Sequence, residues 1–318
     1  MIHKLFISLM IVLIITACAP ATPAPVPTTT PVPATSTATI ISTPTLGIGS
    51  TLTSDKDGMT LVFVPAGEFT MGSDADDALA ECQKFLQKFI SDCDRGYFTN
   101  EEPPHSVQVD AFWIDQTEVT NKMYALCVEA GVCQEPTSTG SDTHSNYYGN
   151  AEFDNYPVIF ADWSMAKTYC EWAGRRLPTE AEWEKAARGE NASVYPWGDT
   201  FDGSLVNFCD TNCSSYWANK SFNDEFADVA PVGSYPTGKS VYGALDMAGN
   251  VWEWVSSLDK PYPYDATDGR ENLDSSDARV LRGGAWRYDN NSVRSAFRNR
   301  YFPSNSDSSV GFRCSRSP

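Results

Sequence analysis

The sequence predicts a domain of mixed helices and strands that is rich in loops, and three observations carry that reading. An alternating apolar run, MTLVFVPAGEFTMG, opens the domain; helical segments with caps and glycine stops follow between residues 120 and 189; and beyond Gly189 short aromatic segments are broken by Gly, Asn, Asp and Ser with no helical period. Met59 to Gly72 alternates around an Ala66-Gly67 turn and reads as a hairpin. Thr120 is placed to cap a helix over Asn121 to Ala130 that Gly131 stops, and Ser164 a second over Met165 to Ala173 that Gly174 stops. Thr179-Glu180-Ala181-Glu182 is a capping box, in which the Thr hydroxyl and the Glu182 carboxylate each satisfy an amide the helix leaves unpaired. Pro178 and Gly189 bracket that third helix. Tight turns and short strands are expected after it, and residues 74–100 and 134–155 read as surface insertions.

The N-terminus sets the compartment. Lys4 is followed by an uncharged apolar run, Leu5 to Ile15, and then by Ile15-Thr16-Ala17-Cys18, a secretory signal ending in a lipoprotein cleavage box. The run is shorter than the roughly 20 residues of a spanning helix, so residues 1–18 are assigned as a signal peptide with Cys18 as the lipidated residue. Residues 19–57 are dominated by Pro, Thr, Ala, Ser and Val, and no charge occurs between Lys4 and Asp55. Such chain builds no core and is read as a disordered stalk; at about 3.1 Å per residue in polyproline II its Pro/Thr-rich part, Ala19 to Thr45, reaches roughly 80 Å. The folded domain is assigned to residues 58–318.

With 23 Lys plus Arg against 41 Asp plus Glu, the formal net charge is −18. That surface repels phosphate backbones and anionic lipid headgroups, which disfavours nucleic-acid binding and leaves cation binding open. Membrane association is therefore expected through the lipid anchor alone. An even number of cysteines follows Cys18, which in an exported chain points to disulfides. Cys82 with Cys93, Cys127 with Cys133 and Cys209 with Cys213 are close neighbours, which leaves Cys170 and Cys314 as a long-range staple. The spacing of Cys209 and Cys213 would also suit a metal.

Seven strings occur in one order: FVPAGEFTMGS (Phe63 to Ser73), DQTEVTNKMY (Asp115 to Tyr124), YCEWAGRRLPTEAEWEKAARG (Tyr169 to Gly189), YPWGD (Tyr195 to Asp199), DMAGNVWEW (Asp246 to Trp254), LRGGAW (Leu281 to Trp286) and GFRC (Gly311 to Cys314). Together they resemble the formylglycine-generating enzyme, or sulfatase-modifying factor, family. The resemblance implies a loop-rich α+β fold related to the C-type lectins. Family enzymes bind copper(I) through two cysteines and use oxygen to convert a sulfatase cysteine to formylglycine. Aligned on RGGAW, this chain carries Tyr288 and Val293 at those two positions, and a one-residue slip offers only Asp289 or Ser292. Copper(I) seeks thiolate, so neither copper binding nor oxidase activity of this kind is expected. A related branch that holds iron through histidines is also excluded, because outside the signal the chain has only His105 and His144.

The same resemblance implies structural calcium. One site would use the side chains of Asp246 and Glu253 with the carbonyls of Gly249 and Val251; a second would use Asn207 and Asp224 with the carbonyls of Phe208 and Phe226. Hard oxygen donors on a tight turn are what calcium requires. The competing reading is that Asp246 and Glu253 cap turns and pair with an arginine, and that Arg282, Arg298 and Arg313 are hydrogen-bond hubs.

Residues 287–309 are dominated by Asn, Ser, Asp, Tyr, Arg and Phe where the family builds its active-site face. Rigid Tyr and adaptable Asn and Ser make a recognition surface, with Tyr288, Asp289, Asn290, Asn291, Arg298 and Tyr301 as its candidate ligand-binding residues. The ligand is left open between a peptide, a glycan and a protein. The expected function is a surface-anchored binding module without copper chemistry. The alternatives are a divergent formylglycine-generating oxidase, a variable ligand-binding protein of a diversity-generating retroelement, and a purely structural envelope module.

Overall fold

The computed structural model describes residues 22–24, 46–85 and 93–318. Residues 22–24 belong to a first unit, are exposed and have no regular secondary structure; the second unit, Thr45–Pro318, contains every element described below. The signal peptide, Cys18 and most of the stalk lie outside the described residues. No helix among the described residues is long and apolar enough to cross a membrane.

β1 (Thr51–Thr53), β2 (Thr60–Val64), β5 (Phe112–Asp115) and β10 (Ser315–Arg316) form an antiparallel sheet in that order, so the two ends of the domain lie in one sheet. β3 (Gly67–Met71) pairs only with β4 (His105–Val109). The expected hairpin over residues 59–72 is therefore corrected: both strands exist, but they enter different sheets. Pairing partners for β2 and β3 come from distant β5 and β4, and local alternation carries no information about them. β1 also lies inside the span assigned to the stalk. Its Thr-Leu-Thr sequence has the same uncharged composition as the segment before it, yet Leu52 packs on the core and Asp57 is buried.

α1 (Ala75–Phe85) and two short 3-10 turns occupy the first predicted insertion. Ala75, Ala78, Cys82 and Phe98 make a small apolar cluster against Phe297, so part of this segment belongs to the interior. α2 (Asn121–Glu129) is capped by Thr120, whose Oγ1 accepts from the Met123 amide at 3.2 Å, and Gly131 follows with φ 72°. α3 (Trp163–Trp172) is capped not by Ser164 but by Asp162, whose carboxylate accepts from the Met165 amide at 2.8 Å. The N-cap moves two residues because Asp and Ser are equally good caps and Trp163, buried in the core, extends the helix toward the N-terminus.

α4 (Glu180–Arg188) has the expected capping box and is buried along its whole length. It packs against β3, β4 and two central strands, β6 (Trp252–Leu258) and β7 (Arg279–Arg282). Its charges are matched inside: Glu180 with Arg298 at 2.6 Å, and Glu184 with both Arg188 and Arg282. β8 (Asn299–Tyr301), β7, β6 and β9 (Val310–Gly311) form the last sheet in that order, with β6 and β9 parallel.

Four disulfides link Cys82 to Cys93, Cys127 to Cys133, Cys170 to Cys314 and Cys209 to Cys213. The third ties α3 to the C-terminal end of the chain across 144 residues. This complement fits a chain that folds in an oxidising, extracytoplasmic compartment.

Candidate functional site

DMAGNVWEW ends in β6, which aims Glu253 inward. Arg313 Nε donates to Glu253 Oε2 and its Nη2 to Oε1, both at 2.7 Å, and Trp183 Nε1 donates to Oε2 at 2.7 Å. Arg313 also donates to the carbonyls of Asp115, Gln116, Leu245 and Asp246. Around this one guanidinium lie two further buried carboxylates, Asp246 and Glu118. Asp246 Oδ2 accepts from the Gly233 amide at 2.6 Å, and Glu118 Oε1 from Asn250 Nδ2 at 3.0 Å. Glu118 Oε2 is buried with no amide, hydroxyl or guanidinium donor, and the Asp246 carboxyl lies against Glu118. Burial first, then the Asp246 charge, pushes the Glu118 carboxyl well up; burial raises Asp246 as well.

The turn before β6 is locked to the chain at Asn207. Asn250 donates its amide to the Asn207 carbonyl at 2.9 Å, and Asn207 Nδ2 returns a bond to Asn250 Oδ1 at 3.1 Å. Gly249, at φ 74°, lies so close that a Cβ would stand 2.1 Å from the same carbonyl. Asn207 Oδ1 is itself buried without a partner. Farther along, Asp224 accepts from the Phe208 and Phe226 amides at 3.1 and 2.9 Å, and its own amide bonds to Asp210. Burial, with the Asp210 charge adding to it, pushes Asp224 up to about 7.

The segment after LRGGAW folds back on itself. Gly284, at φ 78°, has Val293 Cγ1 within 2.8 Å of where a Cβ would be. Val293 is 0 % exposed and joins Tyr195, Phe201, Val206, Phe208 and Ala248 in one apolar cluster. Tyr288 packs instead against a different cluster, its ring edge-on to Trp252 at 5.4 Å. Its carbonyl accepts from the Cys209 amide, and the neighbouring Arg287 carbonyl from Trp217 Nε1.

Much of the expected recognition surface is interior. Asn290, Asn291 and Arg298 are 2, 6 and 3 % exposed. Arg298 is held by Glu180 and the Asn100 and Lys260 carbonyls, and Asn291 by Arg294, so these polar side chains serve buried partners. Asp289 caps its own turn through the Asn291 and Ser292 amides. Tyr301 donates to Asp307 at 2.9 Å. Tyr288, Asp289 and Tyr301 remain half-buried, beside exposed Phe302 and, across the Trp217 contact, exposed Tyr216.

Residues 50–318 match the family described as "Sulfatase-modifying factor enzyme 1-like domain". The chain belongs to the sulfatase-modifying factor family. Formylglycine-generating enzyme of Streptomyces coelicolor is 33 % identical over 80 % of this chain and 88 % of its own length. Inactive C-alpha-formylglycine-generating enzyme 2 of Bos taurus is 34 % identical over 63 % of this chain, and hercynine oxygenase of Mycolicibacterium smegmatis 30 % over 80 %; the chain spans about three-fifths of each, 62 % and 61 %. Among solved structures, PvdO from Pseudomonas aeruginosa aligns with a TM-score of 0.62 at 25 % identity, covering 86 % of this chain and 100 % of that one. Treponema denticola variable protein 1 aligns at 0.59 and 18 %, covering 85 % and 99 %, which shows a shared C-type-lectin-like fold.

Copper(I) does not fit the family's position in this chain. A half-buried phenol and a core valine offer no thiolate, they face separate apolar clusters, and every cysteine among the described residues is in a disulfide. A hard cation fits better. Asn207 Oδ1 has no partner, Glu118 faces the Asp246 carboxyl, and Glu118, Asp246 and Glu253 share one arginine. Among the described residues no three His, Cys, Asp or Glu side chains form a metal cage by themselves, so a cation here would take backbone carbonyls as well. Glu118 is the residue that sequence reading missed. It stands in DQTEVTNKMY, far from DMAGNVWEW in sequence, and only the fold brings the two together.

Proposed function

We propose that this chain is an extracytoplasmic binding module of the sulfatase-modifying factor family, displayed on a stalk and lipid anchor, with structural calcium and no copper chemistry. The observation that carries the reading is the pair Tyr288 and Val293: one packs on Trp252, the other is sealed in the core, and no cysteine among the described residues is free to replace them. Two relatives carry names with opposite implications, a formylglycine-generating enzyme and an inactive one, so membership alone does not decide activity.

The binding face on this reading is narrower than residues 287–309. It consists of Tyr288, Asp289 and Tyr301 with their exposed aromatic neighbours, and its ligand is a protein, peptide or glycan. Calcium would be held by Glu118, Asp246 and the Gly249 and Val251 carbonyls beside Glu253, and at a second point by Asn207, Asp224 and the Phe208 and Phe226 carbonyls. Its role would be to crosslink loops that lack strand ladders.

Oxygen, copper(I) and a cysteine-containing sulfatase peptide, incubated with the full chain, test the reading. The peptide thiol is expected to remain; an aldehyde formed in proportion to enzyme would overturn it.

A further inference from the structure

A cleft of about 490 Å³ has no lining residue from the residue 287–309 segment. That size is within the roughly 300–1,000 Å³ of small-ligand sites. One wall is Trp197. Its Nε1 donates to the Thr200 carbonyl at 2.9 Å, and its ring stacks on Tyr195 with centroids 5.3 Å apart and planes at 7°. The indole is thus a fixed platform whose polar edge is already satisfied.

Around the platform stand Asn191, Thr237 and Ser240. The first two are exposed, and Ser240 Oγ is buried with no partner, a hydroxyl waiting for one. Charge is balanced here: exposed Glu190 and Lys239 carry one each, and Arg188 is neutralised by Glu184. With no cationic excess and a net charge of −18 on the chain, an anionic ligand is disfavoured.

From this cleft we infer a second binding site, one that takes a neutral saccharide. A sugar ring has an apolar face that lies on an aromatic platform and a rim of hydroxyls that pairs with amides and hydroxyls, which are the groups present. The inference rests on the cleft and not on the fold, since one fold hosts many functions.

Titration of the full chain with neutral glucan, mannan and chitin oligosaccharides, followed by tryptophan fluorescence and calorimetry, tests it. At least one oligosaccharide should bind. Trp197→Ala should weaken it by about tenfold, the scale of one lost stacking contact. Asn191→Ala and Thr237→Ala, both at exposed positions, should weaken it without altering thermal unfolding. If none of the three sugars binds, or if binding is indifferent to Trp197, Asn191 and Thr237, the inference is overturned.

Discussion

Arg313 meets Glu253 in a two-point contact, Nε to Oε2 and Nη2 to Oε1, each 2.7 Å, with both side chains buried. The same guanidinium is the positive charge shared by Glu118 and Asp246. Removing one partner of a buried pair costs about 3–5 kcal/mol. Arg313→Leu is expected to lose at least that much in denaturant unfolding, and Glu253→Gln less, because it retains one acceptor for Arg313 or Trp183. Equal losses would mean that the remaining Gln oxygen gives Arg313 no usable acceptor.

The buried acids give a pH dependence of uncommon sign. Asp115 and Asp224 are each pushed up to about 7, by burial first, from an ordinary value of 3.8. Between those two values the folded state binds more protons than the unfolded one, so stability falls as pH rises. Without divalent cation, thermal unfolding should move down from pH 5 to pH 8, and Asp224→Asn should flatten that slope.

Calcium reverses the trend if it occupies the proposed sites, since it binds the ionised carboxylates. Added calcium should raise the unfolding temperature more at pH 8 than at pH 5, and Glu118→Gln should reduce the gain. A calcium effect independent of both pH and Glu118 would place the ion elsewhere.

Cys170–Cys314 closes a loop of 144 residues and Cys209–Cys213 one of 4. Loop entropy predicts about 5 kcal/mol for the long closure. Replacing Cys170 and Cys314 together by Ala should therefore destabilise far more than replacing Cys209 and Cys213, as read by chemical unfolding.

Local chemistry was legible in the sequence where a single turn decides it. Thr120, Thr179 and Gly131 act as read, and the four neighbour and staple pairings of cysteine form. What escaped was set by distant partners. β2 and β3 alternate as a hairpin would, yet each pairs with a strand more than thirty residues away. Asn290, Asn291 and Arg298 have surface composition but are interior; Arg298 satisfies a loop carbonyl and a buried acid and Asn291 accepts from Arg294, while Asn290 is buried with its Nδ2 unpaired. Glu118 could not be assigned to the Glu253 cluster from spacing at all.

The most direct measurement is copper(I) binding by the purified full chain carrying Cys18→Ser, with free thiols counted under native and denaturing conditions. The account predicts no stoichiometric copper and no free thiol in either condition. Tight, stoichiometric copper together with two free thiols would contradict it and restore the oxidase.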